Sequence, residues 1–72
     1  MTSEEIRLEF YKRRKELTFS SVARRLGVSR QAVSYVIDRA FVSRRIMEAV
    51  ADALGKDKRY VFPEYYMKKP SQ

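Results

Sequence analysis

Four polar side chains in the middle of the chain have the chemistry to recognise nucleic-acid bases, and they recur one helical turn apart. They are Arg30, Gln31, Ser34 and Tyr35. Arginine pairs with guanine or with a phosphate, glutamine pairs with adenine, and tyrosine can contact a thymine methyl group. The spacing places all four on the outer face of one helix, where they would read base edges in the major groove of DNA. Partial burial at the helix edge is the alternative for Tyr35.

Hydroxyl and guanidinium groups beside this helix suit contacts with DNA phosphates. The candidates are Ser20, Ser29, Arg44 and Arg45. Ser29 is also explained as a helix cap, and Ser20 by hydrogen bonds to the nearby backbone. Arg44 and Arg45 open a predicted helix, where a cation meets the positive end of the helix dipole. A DNA phosphate would explain why two arginines stand at this unfavourable position.

Positive charge is concentrated around the same residues. The 72-residue chain has a net charge of +7, and the segment from Leu17 to Arg45 holds six arginines against Asp38 alone, which is +5 of that total. A solvated surface is the ordinary fate of charged residues. Their coincidence with the recognition residues favours DNA, because neutralising phosphates supplies most non-specific affinity. Asp38 is expected to form an ion pair; orienting Arg30 or Arg39 and accepting from a cytosine amine are its alternatives.

The composition excludes several classes of function. The chain has no cysteine and no histidine, which removes disulfides, thiolate metal sites, catalytic triads and imidazole bases. The carboxylates are scattered on helix surfaces, so no pair suits acid–base catalysis and we do not expect an enzyme. No cofactor, metal or small-molecule substrate is expected. Without a signal peptide or an apolar run of membrane-spanning length, we expect a cytoplasmic protein with no membrane partner.

Two helices joined by a tight turn must position these side chains. Thr18 is the expected N-cap of a helix that holds Phe19 to Leu26, and a second helix runs from about Arg30 to Ala40. Gly27 lies at the turn, where a left-handed backbone costs glycine little. The small Ala23 lets the second helix cross the first at a steep angle. The apolar residues expected between them are Val22, Leu26, Val28, Val33, Val36 and Ile37.

The flanking elements supply the rest of a small core. An N-terminal helix is capped by Thr2 or Ser3 and ends in the basic cluster Lys12 to Lys15. That cluster suits the negative end of a helix dipole, and a phosphate contact is its alternative role. A fourth helix is capped by Ser43 and stops at Gly55. The core residues expected from these helices and from the link before the fourth are Ile6, Phe10, Leu17, Phe41, Val42, Ile46, Val50, Ala53 and Leu54.

The C-terminal part has a different character. Val61 and Phe62 are expected to dock onto the body, and Pro63 to break any helix. The apolar stretch Tyr60 to Met67 either closes the core of one chain or forms a two-fold contact between chains. Residues 68–72 are expected to be a disordered basic tail.

Two segments resemble a known superfamily. LTFSSVARRLGVSRQAVSYVIDR, from Leu17 to Arg39, looks like the helix-turn-helix of lambda-repressor/Cro-like proteins. IMEAVADALGKDKRYVFPEYY, from Ile46 to Tyr66, has an apolar helix ending in ALG, a polar turn, an apolar pair, a proline and an aromatic. That order resembles the small Ner-like (Nlp) regulators of Mu-type phages and their bacterial relatives. The resemblance implies an all-α fold: a compact lambda-repressor-like domain of four to five helices over residues 1–67, with the helix-turn-helix at about 18–39.

The resemblance also implies a site. It implies binding to an operator in double-stranded DNA, commonly as a symmetric pair, and repression of phage or prophage promoters. By position, base-reading roles fall on Arg30, Gln31, Ser34 and Tyr35, and phosphate roles on Ser29, Arg39, Arg44 and Arg45. Many members begin helix two with a glutamine that braces a second glutamine, whereas this chain has Phe19 there. We therefore expect different hydrogen bonding around Gln31, and packing of Phe19 on the N-terminal helix or a neighbouring molecule.

The leading hypothesis is a transcription regulator of a bacterial or phage-infected cell that binds duplex DNA through the Arg30–Arg39 helix and occludes polymerase. A homodimer on an inverted-repeat operator is expected, because two such helices would lie about one DNA turn apart. One alternative is an antitoxin-type module whose Tyr60–Met67 segment holds a protein partner. Another is an excisionase-like architectural protein that bends DNA.

Overall fold

A computed structural model of the chain describes residues 1–66, which form six helices and no strand. In chain order these are α1 (Ser3–Lys12), α2 (Phe19–Leu26), α3 (Arg30–Ile37), α4 (Arg44–Leu54), α5 (Lys58–Val61) and α6 (Pro63–Tyr66). The all-α prediction is confirmed, and two single-turn helices at the end bring the count above the four to five expected. No helix in this part of the chain is long and apolar enough to cross a membrane.

Side chains cap the starts of the first five helices. Four hydroxyls accept a hydrogen bond from the backbone N–H three residues later, as the sequence predicts: those of Thr2, Thr18, Ser29 and Ser43. Asp57 caps α5 by accepting from the Arg59 N–H at 2.7 Å. Hydrogen bonds from the side chain and the backbone of Arg59 lower the pKa of this carboxyl to about 2. The cap of α5 therefore stays charged in all but strongly acidic solution.

Two glycines end the helices that the sequence predicts them to end. Gly27 follows α2 with a φ of 71°, and Gly55 follows α4 with a φ of 68°. A Cβ atom at either position would meet nothing within 4 Å. The requirement for glycine is therefore conformational, because only the left-handed backbone disfavours a side chain there.

Helix α3 is shorter than predicted because the backbone reverses at Arg39. The helix ends at Ile37 instead of Ala40, and Arg39 has a φ of 62°, the one non-glycine positive φ among residues 1–66. The next residues, Phe41 and Val42, are 52% and 57% exposed. The prediction that these two fill the core is wrong, since the reversal carries the link to α4 away from the helix interface.

One hydrophobic core lies between α1, α2, α3, α4 and α5. Its buried residues are Ile6, Phe10, Val22, Ala23, Val33, Val36, Ile37, Ile46, Met47, Ala49, Val50, Ala51, Leu54, Val61 and Phe62. Phe62 is the largest fully buried side chain, so the residue that ends α5 ties this single turn to the body. The rings of Phe10 and Phe19 meet edge to face with centroids 4.8 Å apart. That contact confirms that Phe19 packs on the N-terminal helix.

The C-terminal segment folds back onto its own chain. Pro63 follows the end of α5 and begins α6 instead of breaking all helical structure, because proline is favoured at the first helical position. Tyr65 and Tyr66 pack against the core, and the Tyr66 hydroxyl lies 3.4 Å from a carboxylate oxygen of Glu48 in α4. The segment thus closes the core of one chain as far as Tyr66. Met67 and the tail predicted for residues 68–72 lie outside the described residues.

Candidate nucleic-acid interface

The side of α3 turned away from the core presents polar side chains to solvent. The buried residues of this helix are all aliphatic, whereas Arg30 and Gln31 are exposed and Tyr35 is 48% exposed. Side chains project radially from a helix, so burial of one face directs the opposite face outward. Three of the four predicted base-reading residues therefore stand where a duplex could reach them.

Ser34, the fourth, is half-buried and is held by a residue of α1. The Nη2 group of Arg7 donates to the Ser34 hydroxyl oxygen at 3.0 Å. The same guanidinium donates to both carboxylate oxygens of Asp38, from Nε at 3.2 Å and from Nη2 at 2.6 Å. The predicted ion pair of Asp38 is confirmed, with Arg7 as its partner. No pattern in the sequence singles out Arg7, because 27 and 31 residues separate it from these partners.

Arg39 points into the protein instead of toward a phosphate. Its side chain is only 20% exposed and pairs with Glu64 at 3.2 Å. Its guanidinium lies 5.1 Å from the ring centroid of Phe62. It donates to the backbone carbonyls of Met1, Ile37 and Val61 at 2.7, 3.0 and 3.3 Å. The phosphate role implied by the resemblance does not suit this geometry, because the donors are already used to join α1, α3, α5 and α6.

The two serine candidates stand at the starts of the recognition elements. Ser29 is exposed, and its hydroxyl oxygen accepts the Ala32 N–H at 3.1 Å. As an acceptor it keeps its own hydrogen for a phosphate oxygen. Ser20 is half-buried in the first turn of α2, where Ser21 and Thr18 complete the capping box. Local capping therefore uses Ser21 and does not require Ser20.

The two arginines that open α4 are exposed, and each has a contact that orients it. Arg45 donates from Nη2 to the carbonyl oxygen of Leu26 at 2.7 Å, so it satisfies a carbonyl at the end of α2. The guanidinium of Arg44 lies 5.7 Å from the centroid of the Tyr66 ring. The link from Arg45 to α2 gives a structural reason for a cation at this helix start, beside the phosphate contact that the sequence predicts.

Exposed positive charge lies on α3 and on the helices before and after it in the chain, α2 and α4. Six exposed arginines have no carboxylate within 4 Å among residues 1–66. Arg14 follows α1, and the other five lie on α2, α3 and α4: Arg24, Arg25, Arg30, Arg44 and Arg45. Clustered charge of one sign raises the local concentration of a polyanion and speeds its association. Within the described part of the chain, no group of acidic side chains could hold a metal ion.

Comparison with known proteins identifies the family to which the chain belongs. Residues 1–72 match the family described as winged helix-turn-helix DNA-binding. No curated protein and no solved structure matches the chain. Residues 1–66 are helical without a β-hairpin that could serve as a wing, so the candidate interface rests on α2, α3 and their flanks. The match supports the helix-turn-helix prediction without distinguishing lambda-repressor/Cro-like from Ner-like proteins. The chain belongs to the winged helix-turn-helix family of DNA-binding proteins.

Proposed function

We propose that the protein is a sequence-specific repressor of phage or prophage type, which inserts α3 into the major groove of double-stranded DNA and excludes polymerase from a promoter. The exposed polar face of α3, together with exposed arginines on α2 and α4, is the observation that carries this proposal. Membership of a DNA-binding family supports the partner. The resemblance of residues 17–39 to lambda-repressor/Cro-like proteins, and of residues 46–66 to Ner-like regulators, supports the repressor role.

In this proposal each polar residue of the interface has a role. Arg30 and Gln31 lie in the first turn of α3, the part of a recognition helix that contacts base edges. Ser34 and Tyr35 lie one turn later and complete the base-reading set. The phosphate contacts come from Ser20, Ser29, Arg44 and Arg45, with Arg39 left out because its donors are engaged inside the protein.

We also propose that two copies bind together on an inverted repeat. The recognition helix has only eight residues, so a single copy reads few base pairs. Each good base contact contributes about 1–3 kcal/mol of discrimination, and a second copy doubles the number of such contacts. Two α3 helices would then lie about 34 Å apart, one turn of DNA.

Paired substitutions test the two kinds of contact. We expect Gln31→Ala, and Tyr35→Ala likewise, to lower the preference for the target over random duplexes by about 1–3 kcal/mol. Arg44→Ala is expected to weaken binding to every sequence and to reduce the slope of log affinity against log salt by about one. Competition binding with target and random duplexes at several salt concentrations measures both effects. Equal losses on the two duplexes for Gln31→Ala would contradict base reading.

A further inference from the structure

We propose that Arg7 is a positioning residue for sequence recognition, whose guanidinium holds Ser34 of α3 and Asp38, which follows α3, in the arrangement that faces the bases. This inference rests on the proposed function and describes how the same face is set. Three helices meet at this side chain. It extends from α1, lies 5.3 Å from the ring centroid of Phe19 at the start of α2, and hydrogen-bonds to Ser34 of α3 and to Asp38 at its C-terminal end.

The contact with Arg7 favours the Ser34 hydroxyl as a hydrogen-bond donor toward the bases. A guanidinium only donates, so the Ser34 oxygen is the acceptor at 3.0 Å and its own hydrogen must point elsewhere. A free serine hydroxyl rotates, or it bonds to the carbonyl one turn earlier in its own helix. Held by Arg7, Ser34 has one of its two lone pairs occupied and keeps its hydrogen for guanine O6 or N7, adenine N7 or thymine O4. The geometry therefore points to an acceptor on the base that Ser34 faces.

The same guanidinium neutralises the one acidic residue between Leu17 and Arg45. Both oxygens of Asp38 accept from Arg7, and the two side chains are 43% and 42% exposed. An unpaired carboxylate here would repel phosphates and would accept from a cytosine amine. Because Arg7 pairs with Asp38 and occupies one site on each oxygen, both the repulsion of phosphates and the attraction for a cytosine amine are reduced. The Nη1 group of Arg7 has no hydrogen-bond partner within residues 1–66, which leaves it available to a phosphate.

A charge-neutral double variant separates positioning from simple attraction. Arg7→Gln with Asp38→Asn removes the ion pair and the guanidinium that reaches Ser34, and it keeps the net charge of +7. We expect it to bind random duplex within about twofold of the wild type, because non-specific affinity follows charge. We expect its preference for the target duplex to fall by about fivefold or more, because the guanidinium no longer holds Ser34 and the residue at position 38. Preference is the affinity ratio of target to random duplex in competition binding.

Arg13, the C-cap of α1, offers a matched control. Its side chain is also 42% exposed, and it pairs with Glu9 at 3.3 Å as Arg7 pairs with Asp38. Arg13→Gln is expected to keep the wild-type preference within about twofold while losing one charge. Arg7→Gln is expected to lose the same charge and the preference. Arg7→Lys keeps the charge without the planar fork, so it too is expected to lose preference while binding random duplex normally.

The outcomes distinguish failure of this inference from failure of the proposed function. A wild-type protein that prefers no duplex would overturn both. Wild-type preference that is unchanged in the double variant, or in Arg7→Lys, would overturn the role of Arg7 alone. Equal changes in preference for Arg7→Gln and Arg13→Gln would also overturn the role of Arg7. Far-ultraviolet circular dichroism at the assay temperature shows that each variant is folded, and Arg7→Lys decides the matter if the double variant is not.

Discussion

Arg39 shows how one side chain can determine where the recognition helix ends. A left-handed backbone costs a residue with a side chain about 1–2 kcal/mol, and Arg39 adopts it with a φ of 62°. Its guanidinium bonds to carbonyls of α3, of α5 and of the N-terminal Met1, and it pairs with Glu64. We infer that these contacts hold the reversed backbone and so limit α3 to Arg30–Ile37.

Two substitutions at Arg39 separate the side chain from the backbone. Arg39→Ala and Arg39→Gly both remove the hydrogen bonds, and each is expected to lower the free energy of unfolding, the alanine variant by about 2 kcal/mol or more. Glycine adopts the left-handed backbone without strain, although it adds entropy to the unfolded chain. We therefore expect Arg39→Gly to be the more stable of the two by roughly 0.5–1 kcal/mol. Urea unfolding measures both, and a glycine variant less stable than the alanine variant would refute backbone strain at this position.

Sequence reasoning at the residue scale succeeded where a single helix decides the outcome. The exposure of Gln31 and Tyr35 follows from a period of about 100° per residue around α3. Sequence reasoning failed for Arg7 and Arg39. The hydrogen-bond partners of these two side chains lie 22 to 38 residues away along the chain, except for the Ile37 carbonyl, which is two residues from Arg39. Only the packing of α1, α3 and α5 against each other brings these donors to their acceptors.

At the scale of elements, the turn of the helix-turn-helix depends on a backbone conformation. Gly27 and Gly55 end their helices with nearly the same φ, and the space where a Cβ atom would lie is open at both. The same physical requirement therefore acts at two places, one inside the DNA-binding element and one outside it.

This equivalence makes the two glycines controls for each other. We expect Gly27→Ala and Gly55→Ala to lower the free energy of unfolding by similar amounts, about 1 kcal/mol each, because strain in the left-handed region is the whole cost. Thermal and urea unfolding of the two variants measure it. A much larger loss for one variant would show that its side chain meets a clash that the open surroundings do not predict.

Helix starts were easier to predict than helix ends. The caps Thr18, Ser29 and Ser43 are recognisable because capping joins residues three apart, which is local chemistry. The end of α3 is not local, because it depends on contacts of Arg39 with the rest of the molecule. Pro63 was predicted only to break helices, although the same fixed φ also suits the first residue of α6.

At the scale of the whole molecule, the core uses the C-terminal segment and leaves the link before α4 outside. Phe62 is fully buried, whereas Phe41 is 52% exposed. Both are phenylalanines beside short apolar runs, so composition alone does not tell them apart. The docking of Tyr65 and Tyr66 on their own core also uses part of the surface that an antitoxin-type module would need for its partner.

The contrast between these phenylalanines gives a test of the fold. Phe62→Ala is expected to lower the free energy of unfolding by about 3–5 kcal/mol, because it empties a filled site in the core. Phe41→Ser is expected to change it by no more than about 0.5 kcal/mol, as surface substitutions usually do. Urea unfolding followed by circular dichroism compares the two variants. Similar losses for both would mean that Phe41 is a core residue after all.

The most direct test of the central claim is selection of bound duplexes from a random pool with the full chain. If α3 reads bases and two copies bind together, the selected duplexes should share an inverted repeat whose half-sites are centred about 10 base pairs apart. The Gln31→Ala variant should then lose its base preference at one position, and this position should be the same in both half-sites. A pool that gains no common sequence, while still binding the protein, would contradict recognition by α3.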